Sequence, residues 1–282
     1  MHNPSAYYSE QYNARAAIPD HPYIFTRWIK QSALVRRTNA GLYDLMYGDS
    51  IGERLDIFPT RKTGGPLLVF IHGGWWRSLD KSDFSMIAPV FTNAGVNVAL
   101  TNYTLAPGAS IEEIVQQQLR ALAWLYRNVE KYDIDPQHIV VAGHSAGAHL
   151  AAMMMAAQWT TYAGDLPANM IKAGVLTSGL YDLSPVPRAE FVNVDLQLTP
   201  ERALGLSPGF MPQSHATPFI TAVGGLESDE FKRQNGLIGR AWQDQHRADI
   251  ALPAANHLTI CDALADPDSA LVQAMLELVS SI

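Results

Sequence analysis

Gly143-His144-Ser145-Ala146-Gly147 forms a G-x-S-x-G pentapeptide, with VVA before it and AHLAAMMMAA after it. A serine hydroxyl is a weak nucleophile at its own pKa. It becomes useful where a sharp strand-to-helix turn exposes it and a base stands beside it. Such a turn strains the backbone at the serine. Residues two positions to either side must be small, because larger ones would collide with neighbouring backbone. The flanking runs read as the strand and the helix that the turn requires. The start of that helix would also set backbone N–H groups beside Ser145, where negative charge is favoured.

A second segment, His72-Gly73-Gly74-Trp75-Trp76, follows directly on LLVFI. An oxyanion forming at an attacked carbonyl needs two or more N–H donors aimed at one point, and glycines let the oxygen approach the backbone. The arrangement predicts that Gly74 and Trp75 N–H join Ala146 N–H in such a hole, with Gly73 shaping the bend and His72 in a structural hydrogen bond. Trp75 and Trp76 can wall an aromatic pocket, because indole faces stack on flat rings. One of the two is expected in core packing. Tyr103, after the next strand, is a further candidate for the same mouth.

The serine needs a base, and the base needs an orienting carboxylate, in the chain order serine, acid, histidine. Four histidines follow Ser145: His149, His215, His246 and His257. His149 lies one turn down the helix after the serine and points away. His215 falls in a proline-rich stretch, and His246 ends a polar helical stretch and is expected in solvent. His257 follows the last strand signal and precedes the closing helix, which is where the base belongs. The acid should follow the strand TPFITAVGG. Glu227 lies in the loop there, whereas Asp229, the commoner residue type for the role, fits a first helical turn that the helix dipole explains by itself. On chemistry alone the two are nearly even. Glu230 is a weaker third, and Asp182 a candidate from the preceding strand end.

These residues have to be carried by an alternation of strands and helices. ERLDIFP (53–59), LLVFIHGG (67–74), VNVALTNY (96–103), HIVVAGHS (138–145), AGVLTSGL (173–180), TPFITAVGG (217–225) and, more weakly, IALPAANH (250–257) read as strands. Several are short continuous apolar runs, as suits strands buried on both faces of a mostly parallel sheet. Between them lie helical patterns at 111–132, 148–159, 228–245 and 267–282. The expected fold class is therefore α/β, a mostly parallel central sheet flanked by helices. The first 45 residues are rich in aromatics, with an amphipathic helix over HPYIFTRWIKQSALVRR that puts Ile24, Trp28 and Leu34 or Val35 on similar faces. The stretch from about 183 to 216 carries Pro185, Pro187, Pro200, Pro208 and Pro212, and reads as a small irregular cap with short helices. The whole of 1–282 is expected to be one domain.

Composition narrows the partners. The 282 residues include 20 Lys plus Arg against 27 Asp plus Glu, a net charge of −7, with 48% hydrophobic and 17% charged residues. The hydrophobic share is that of a globular chain, and the acidic balance argues against nucleic acid as a partner. The single cysteine, Cys261, excludes an internal disulfide and fits a reducing compartment. No stretch of about 18 apolar residues suggests a membrane span, and the N-terminus has no secretory pattern; the expected location is cytoplasmic. No zinc spacing such as H-E-x-x-H occurs, so no metal or organic cofactor is implied. A homodimer is compatible with the sequence and not required by it.

HGGWW, GHSAGAHLAAMMM, SGLYDLSP, VGGLESDEFKRQ and the late NH, together with QYNARAAIPDHPYIFTRW and NYTLAP…IEEIVQQ, resemble the kynurenine formamidase (arylformamidase) branch of the α/β-hydrolase family over nearly the whole chain. By position, Ser145 matches that family's nucleophile and His257 its base. The family's acid is usually aspartate in a segment like VGxxDxxEFxRQ. In that register Glu227 occupies the acid position, with Phe231 and Gln234 matching, which favours Glu227 and keeps Asp229 as the alternative. The resemblance implies hydrolysis of N-formyl-kynurenine to kynurenine and formate. The expected function is thus a serine hydrolase cleaving a small aryl formamide or amide, or a related ester. The alternative is a short-chain carboxylesterase or another aryl-amide hydrolase. A non-catalytic binding protein on the same fold would have lost a member of the triad, and all three are present in order.

Overall fold

A computed structural model describes residues 4–282; the first three residues of the N-terminal aromatic segment lie outside it. Eight strands form one sheet: β1 (Leu42–Met46), β2 (Arg54–Phe58), β3 (Gly65–Ile71), β4 (Asn97–Thr101), β5 (Ile134–His144), β6 (Ile171–Thr177), β7 (Phe219–Gly224) and β8 (His246–Leu252). Their order is β1-β2-β4-β3-β5-β6-β7-β8. The pairs β1–β2 and β2–β4 are antiparallel, and the rest are parallel. The chain crosses to one side of β3 to form β4 and then returns to its other side to form β5. The crevice at the carboxyl ends of β3 and β5 is therefore a topological switch point, where an open α/β sheet leaves room for a ligand.

The apolar runs are continuous because both faces of the sheet are covered. Leu67, Val69 and Ile71 of β3 pack on one side with Ile114, Leu122, Leu150 and Phe231. Leu68 and Phe70 face the other side, with Ile24, Trp28, Phe91 and Met275. The period of two along the strand sends alternate residues to different layers, so every residue of the run is apolar.

Helix Ile111–Asn128 begins with a capping box, Ser110 accepting from Glu113 N–H and Glu113 from Ser110 N–H at 2.6 Å. The α-helix ends at Asn128, and a 3₁₀ turn over Val129–Tyr132 completes the expected segment. Helix His21–Thr38 buries Ile24, Trp28 and Ser32, packing on the 3₁₀ segment Lys81–Ile87, where Ser32 Oγ donates to Asp83 O at 2.7 Å, and Trp28 Nε1 donates to Asp262 Oδ1 at 2.9 Å. Val35 joins this apolar face whereas Leu34 is exposed, so the face runs through the former.

The helix expected to 245 stops at Ala241, and β8 starts at His246, earlier than its sequence signal. His246 is not in open solvent. Its ring stacks on Phe219 at 5.0 Å and its Nε2 lies 2.9 Å from Thr221 Oγ1. An edge strand covered on one face alternates polar and apolar residues, and here that alternation resembled a polar helix end. Residues 183–216 hold a 3₁₀ turn (Val186–Arg188), helices Glu190–Leu196 and Pro200–Gly205, and a second 3₁₀ turn (Pro208–Phe210). Among the described residues, no helix is long and apolar enough to cross a membrane.

Candidate active site

β5 ends at His144 and helix Ala146–Ala156 begins one residue later, so Ser145 is the whole turn. Its φ of 57° and ψ of −120° are costly for a non-glycine residue. The small flanking residues are required by space. A Cβ on Gly143 would stand 2.2 Å from Gly147 O, and one on Gly147 would stand 1.9 Å from Ile71 O. Ser145 N–H donates to Thr177 O at 2.9 Å, tying the turn to the end of β6.

The segment after β3 lies against this turn. A Cβ on Gly73 would meet Ser145 Cβ at 3.0 Å. Gly74 has φ +103°, and Trp75 and Trp76 follow at 55° and 54°, three left-handed residues in a row. Among the described residues no acceptor takes the N–H groups of Gly74, Trp75 or Ala146. Gly74 and Trp75 line the same cavity as Ser145.

His257 follows β8, and its Nε2 lies 3.0 Å from Ser145 Oγ. Its Nδ1 lies 2.6 Å from Glu227 Oε2. The other carboxylate oxygen, Oε1, accepts from Ser178 Oγ at 2.5 Å and from Gly224 N–H at 2.7 Å. Burial by itself would raise the Glu227 pKa. The charge of His257 and the hydrogen bonds from His257, Ser178 and Gly224 outweigh it and hold the carboxyl below its usual range. The imidazole is packed as well as bonded: Phe231 lies over it at 4.1 Å between ring centres. Behind Phe231 stands Tyr12, which is fully buried and meets both Phe231 and Trp75 edge-on at 5.7 Å. His144 donates from Nε2 to His257 O at 2.8 Å; burial, then the neighbouring His257, lowers its pKa to about 3, so it is a neutral strut.

Several candidates sit elsewhere. Asp229 is exposed in the first turn of helix Asp229–Ala241, capped by Ser228, and among the described residues the carboxylate bonded to His257 is that of Glu227. Glu230 accepts from Tyr12 Oη at 2.8 Å and pairs with Arg233. Asp182 pairs with Arg233 at 3.2 Å. Of the two tryptophans, Trp75 lines the cavity and Trp76 is fully buried, edge-on to His149. Tyr103 is not at the mouth. It is buried under the segment, stacked on His72 at 4.4 Å, with its Oη donating to His72 O at 3.0 Å. A residue placed just after a strand can turn under the crevice as easily as into it, and the hydrogen-bonding needs of buried His72 draw Tyr103 under.

The cavity over Ser145 measures about 250 Å³ and is walled by Trp75, Phe25, Phe191 and Arg15 besides the serine and His257. Sequence reasoning picked out Phe231 only as a match in the acid segment, and missed Ser178, Phe191 and Arg15. Ser178 carried a weak signal, a small residue at the end of the strand beside the one that leads to the acid. The others come from separate segments of the chain and had none.

A strained serine between a parallel strand and a helix, with a histidine and a carboxylate from the next strand ends in line behind it, defines an α/β-hydrolase. The family described as BD-FAE matches residues 55–192. A kynurenine formamidase of Salmo salar is 32% identical, over 84% of this chain and 82% of its own length. A candidate thioesterase from Silicibacter sp. has a structure that superposes with a TM-score of 0.81 at 30% identity, covering 94% of this chain and 97% of that one. An esterase of Pyrobaculum calidifontis shares the fold, with a TM-score of 0.73 at 19% identity over 92% and 93% of the two chains. The chain belongs to the kynurenine formamidase branch of the α/β-hydrolase family, and it is a hydrolase of that fold, a formamidase or an esterase.

Proposed function

We propose that this protein is a serine hydrolase that cleaves a small aryl formamide, with N-formyl-kynurenine the favoured type of substrate. The observation that carries the reading is the unbroken hydrogen-bond line from Ser145 Oγ through His257 to Glu227 Oε2, at 3.0 and 2.6 Å, on the floor of an aromatic-walled cavity. Ser145 attacks the formyl carbon while His257 accepts its proton. Glu227 keeps the Nδ1–H tautomer and stabilises the imidazolium. The N–H groups of Gly74, Trp75 and Ala146 take the oxyanion, each donor being worth about 2.7–4 kcal/mol in comparable sites. His257 then protonates the leaving arylamine, and water, deprotonated by the same histidine, releases formate from the acyl-enzyme. The N-terminal segment and the 183–216 cap serve as walls of this one catalytic unit, contributing Phe25 and Phe191. A cavity of about 250 Å³ lies below the ~300–1,000 Å³ of sites for larger ligands, which suits a single-ring substrate.

The test is kcat/KM on N-formyl-L-kynurenine beside p-nitrophenyl acetate, with Ser145→Ala as the blank. Preference for the formamide by orders of magnitude, abolished in Ser145→Ala, is the expected result. Turnover of the activated ester alone would leave the serine machinery standing and replace the formamidase reading with a short-chain esterase.

A further inference from the structure

The rim of the cavity carries positive charge that the serine chemistry leaves unused. Arg15, in the short helix Ala14–Ala17, lines the cavity with Ser145 and His257 and is partly open to solvent. Its Nη2 donates to Ser78 Oγ at 2.7 Å, and its guanidinium lies 5.1 Å from the centre of the Phe25 ring. Ser78 in turn donates to Gly74 O at 2.9 Å, so the guanidinium is tied at one remove to the oxyanion segment. These contacts hold one donor and one face of a group that has about five N–H donors.

Among the described residues no carboxylate pairs with Arg15. The charge that reaches it is that of Arg77, which after burial is the second cause lowering its pKa. Arg77 also lines the cavity and is itself committed to Asp195 at 2.5 Å. Of the two guanidinium groups that line the cavity, only that of Arg77 has a carboxylate partner among the described residues, in a chain whose net charge is −7. A surface arginine that served only to cover Phe25 would be better placed away from a second cation. Partly desolvated, and with a like charge beside it, this one gains most from an anion arriving through the cavity.

We propose that Arg15 is a specificity-determining residue that binds a carboxylate on the leaving-group side of the substrate, making carboxylate-bearing N-formyl arylamines the preferred class. The proposal rests on the formamidase reading, in which the acyl group is one carbon and every other substrate atom, the charge included, belongs to the leaving amine. The planar fork of arginine matches a carboxylate with two parallel hydrogen bonds, which a lysine cannot reproduce.

The experiment compares N-formyl-L-kynurenine with its α-carboxamide, which keeps the ammonium and lacks the carboxylate, on the full chain, in the wild type, Arg15→Gln and Arg15→Lys, with melting temperatures as a folding control. The wild type should prefer the acid by at least about tenfold in kcat/KM, the scale of one charge-assisted contact. Arg15→Gln should bring that ratio to about one through KM for the acid, and Arg15→Lys should recover part of it. A wild-type ratio near one, or a ratio that survives Arg15→Gln, overturns the proposal. If neither formamide is hydrolysed while p-nitrophenyl acetate is, the formamidase reading has failed by itself. The ratio is then read on 4-acetoxybenzoate against its methyl ester: an Arg15-dependent preference retains the anion site, and none removes it.

Discussion

Removing the Ser178 hydroxyl should raise the pKa of Glu227 and loosen its grip on His257. The hydroxyl donates to Glu227 Oε1 at 2.5 Å inside the protein, and a hydrogen bond to a buried charged group contributes about 1.5–3 kcal/mol. Gly224 N–H at 2.7 Å remains and offsets part of the loss. If about 1.4 kcal/mol of it is felt in the transition state, kcat/KM falls roughly tenfold in Ser178→Ala. Stability should change with a definite pH signature. A carboxyl whose folded pKa lies below its unfolded value of 4.5 contributes stability that is present above 4.5 and lost as pH falls through the folded pKa. In Ser178→Ala that loss should be smaller and finish at higher pH than in the wild type, its onset near 4.5 being set by the unfolded chain. Ser178 also has a φ of 49°, a conformation that costs an L-residue about 1–2 kcal/mol and glycine almost nothing. Ser178→Gly should therefore melt above Ser178→Ala while losing the same activity. The assays are kcat/KM on an aryl formamide and urea unfolding from pH 7 to pH 3. An Ala variant with unchanged kcat/KM and an unshifted acid limb refutes the assigned role of the hydroxyl. Wild-type activity in Ser178→Gly, which also lacks the hydroxyl, would show the hydroxyl to be dispensable.

Glu227→Gln should lower kcat/KM by about 10⁴-fold, the effect of supplying the wrong hydrogen-bond pattern behind a triad histidine; Asp229→Asn, at an exposed position, should stay within about twofold of wild type, and the reverse ranking would move the acid to Asp229. Gly147→Ala places a Cβ 1.9 Å from Ile71 O and should destabilise by more than about 4 kcal/mol or prevent folding, read as soluble yield and melting temperature; a well-folded variant would show that the turn can shift at little cost. His144 and His149 are buried with pKa values lowered by desolvation to about 3 and about 4, against 6.5 when unfolded. As pH falls below 6.5 the unfolded chain takes up protons that the folded one refuses, so each removes up to about 1.4 kcal/mol of stability per pH unit; urea unfolding at pH 7, 6 and 5 should show the decline, and a flat profile to pH 5 contradicts it.

Local pattern carried a large part of this protein's description. Strands buried on both faces are apolar throughout and bounded by glycine or proline, so β3, β4, β5, β6 and β7 could be read within a few residues. Ser145 stood out because the turn that exposes a serine excludes side chains at positions 143 and 147, a steric demand that leaves its mark in the sequence. The edge strands were the least legible: β1 (Leu42–Met46) went unread at the end of the N-terminal segment, and β8 was read late, because one covered face produces alternation that a polar helix end imitates. Tertiary structure alone decided the rest. Glu227 and Asp229 are two residues apart and chemically alike, and what separates them is which one the β7 loop turns inward, where Ser178 Oγ and Gly224 N–H await a carboxylate oxygen. Trp75 and Trp76 are adjacent with nearly the same φ, yet one lines the cavity and the other is core. Tyr12 and Arg15 come from the N-terminal segment, far along the chain from Ser145, and Phe191 and Phe231 from two other places. No spacing rule links positions that meet only because separate elements pack over the same end of one sheet.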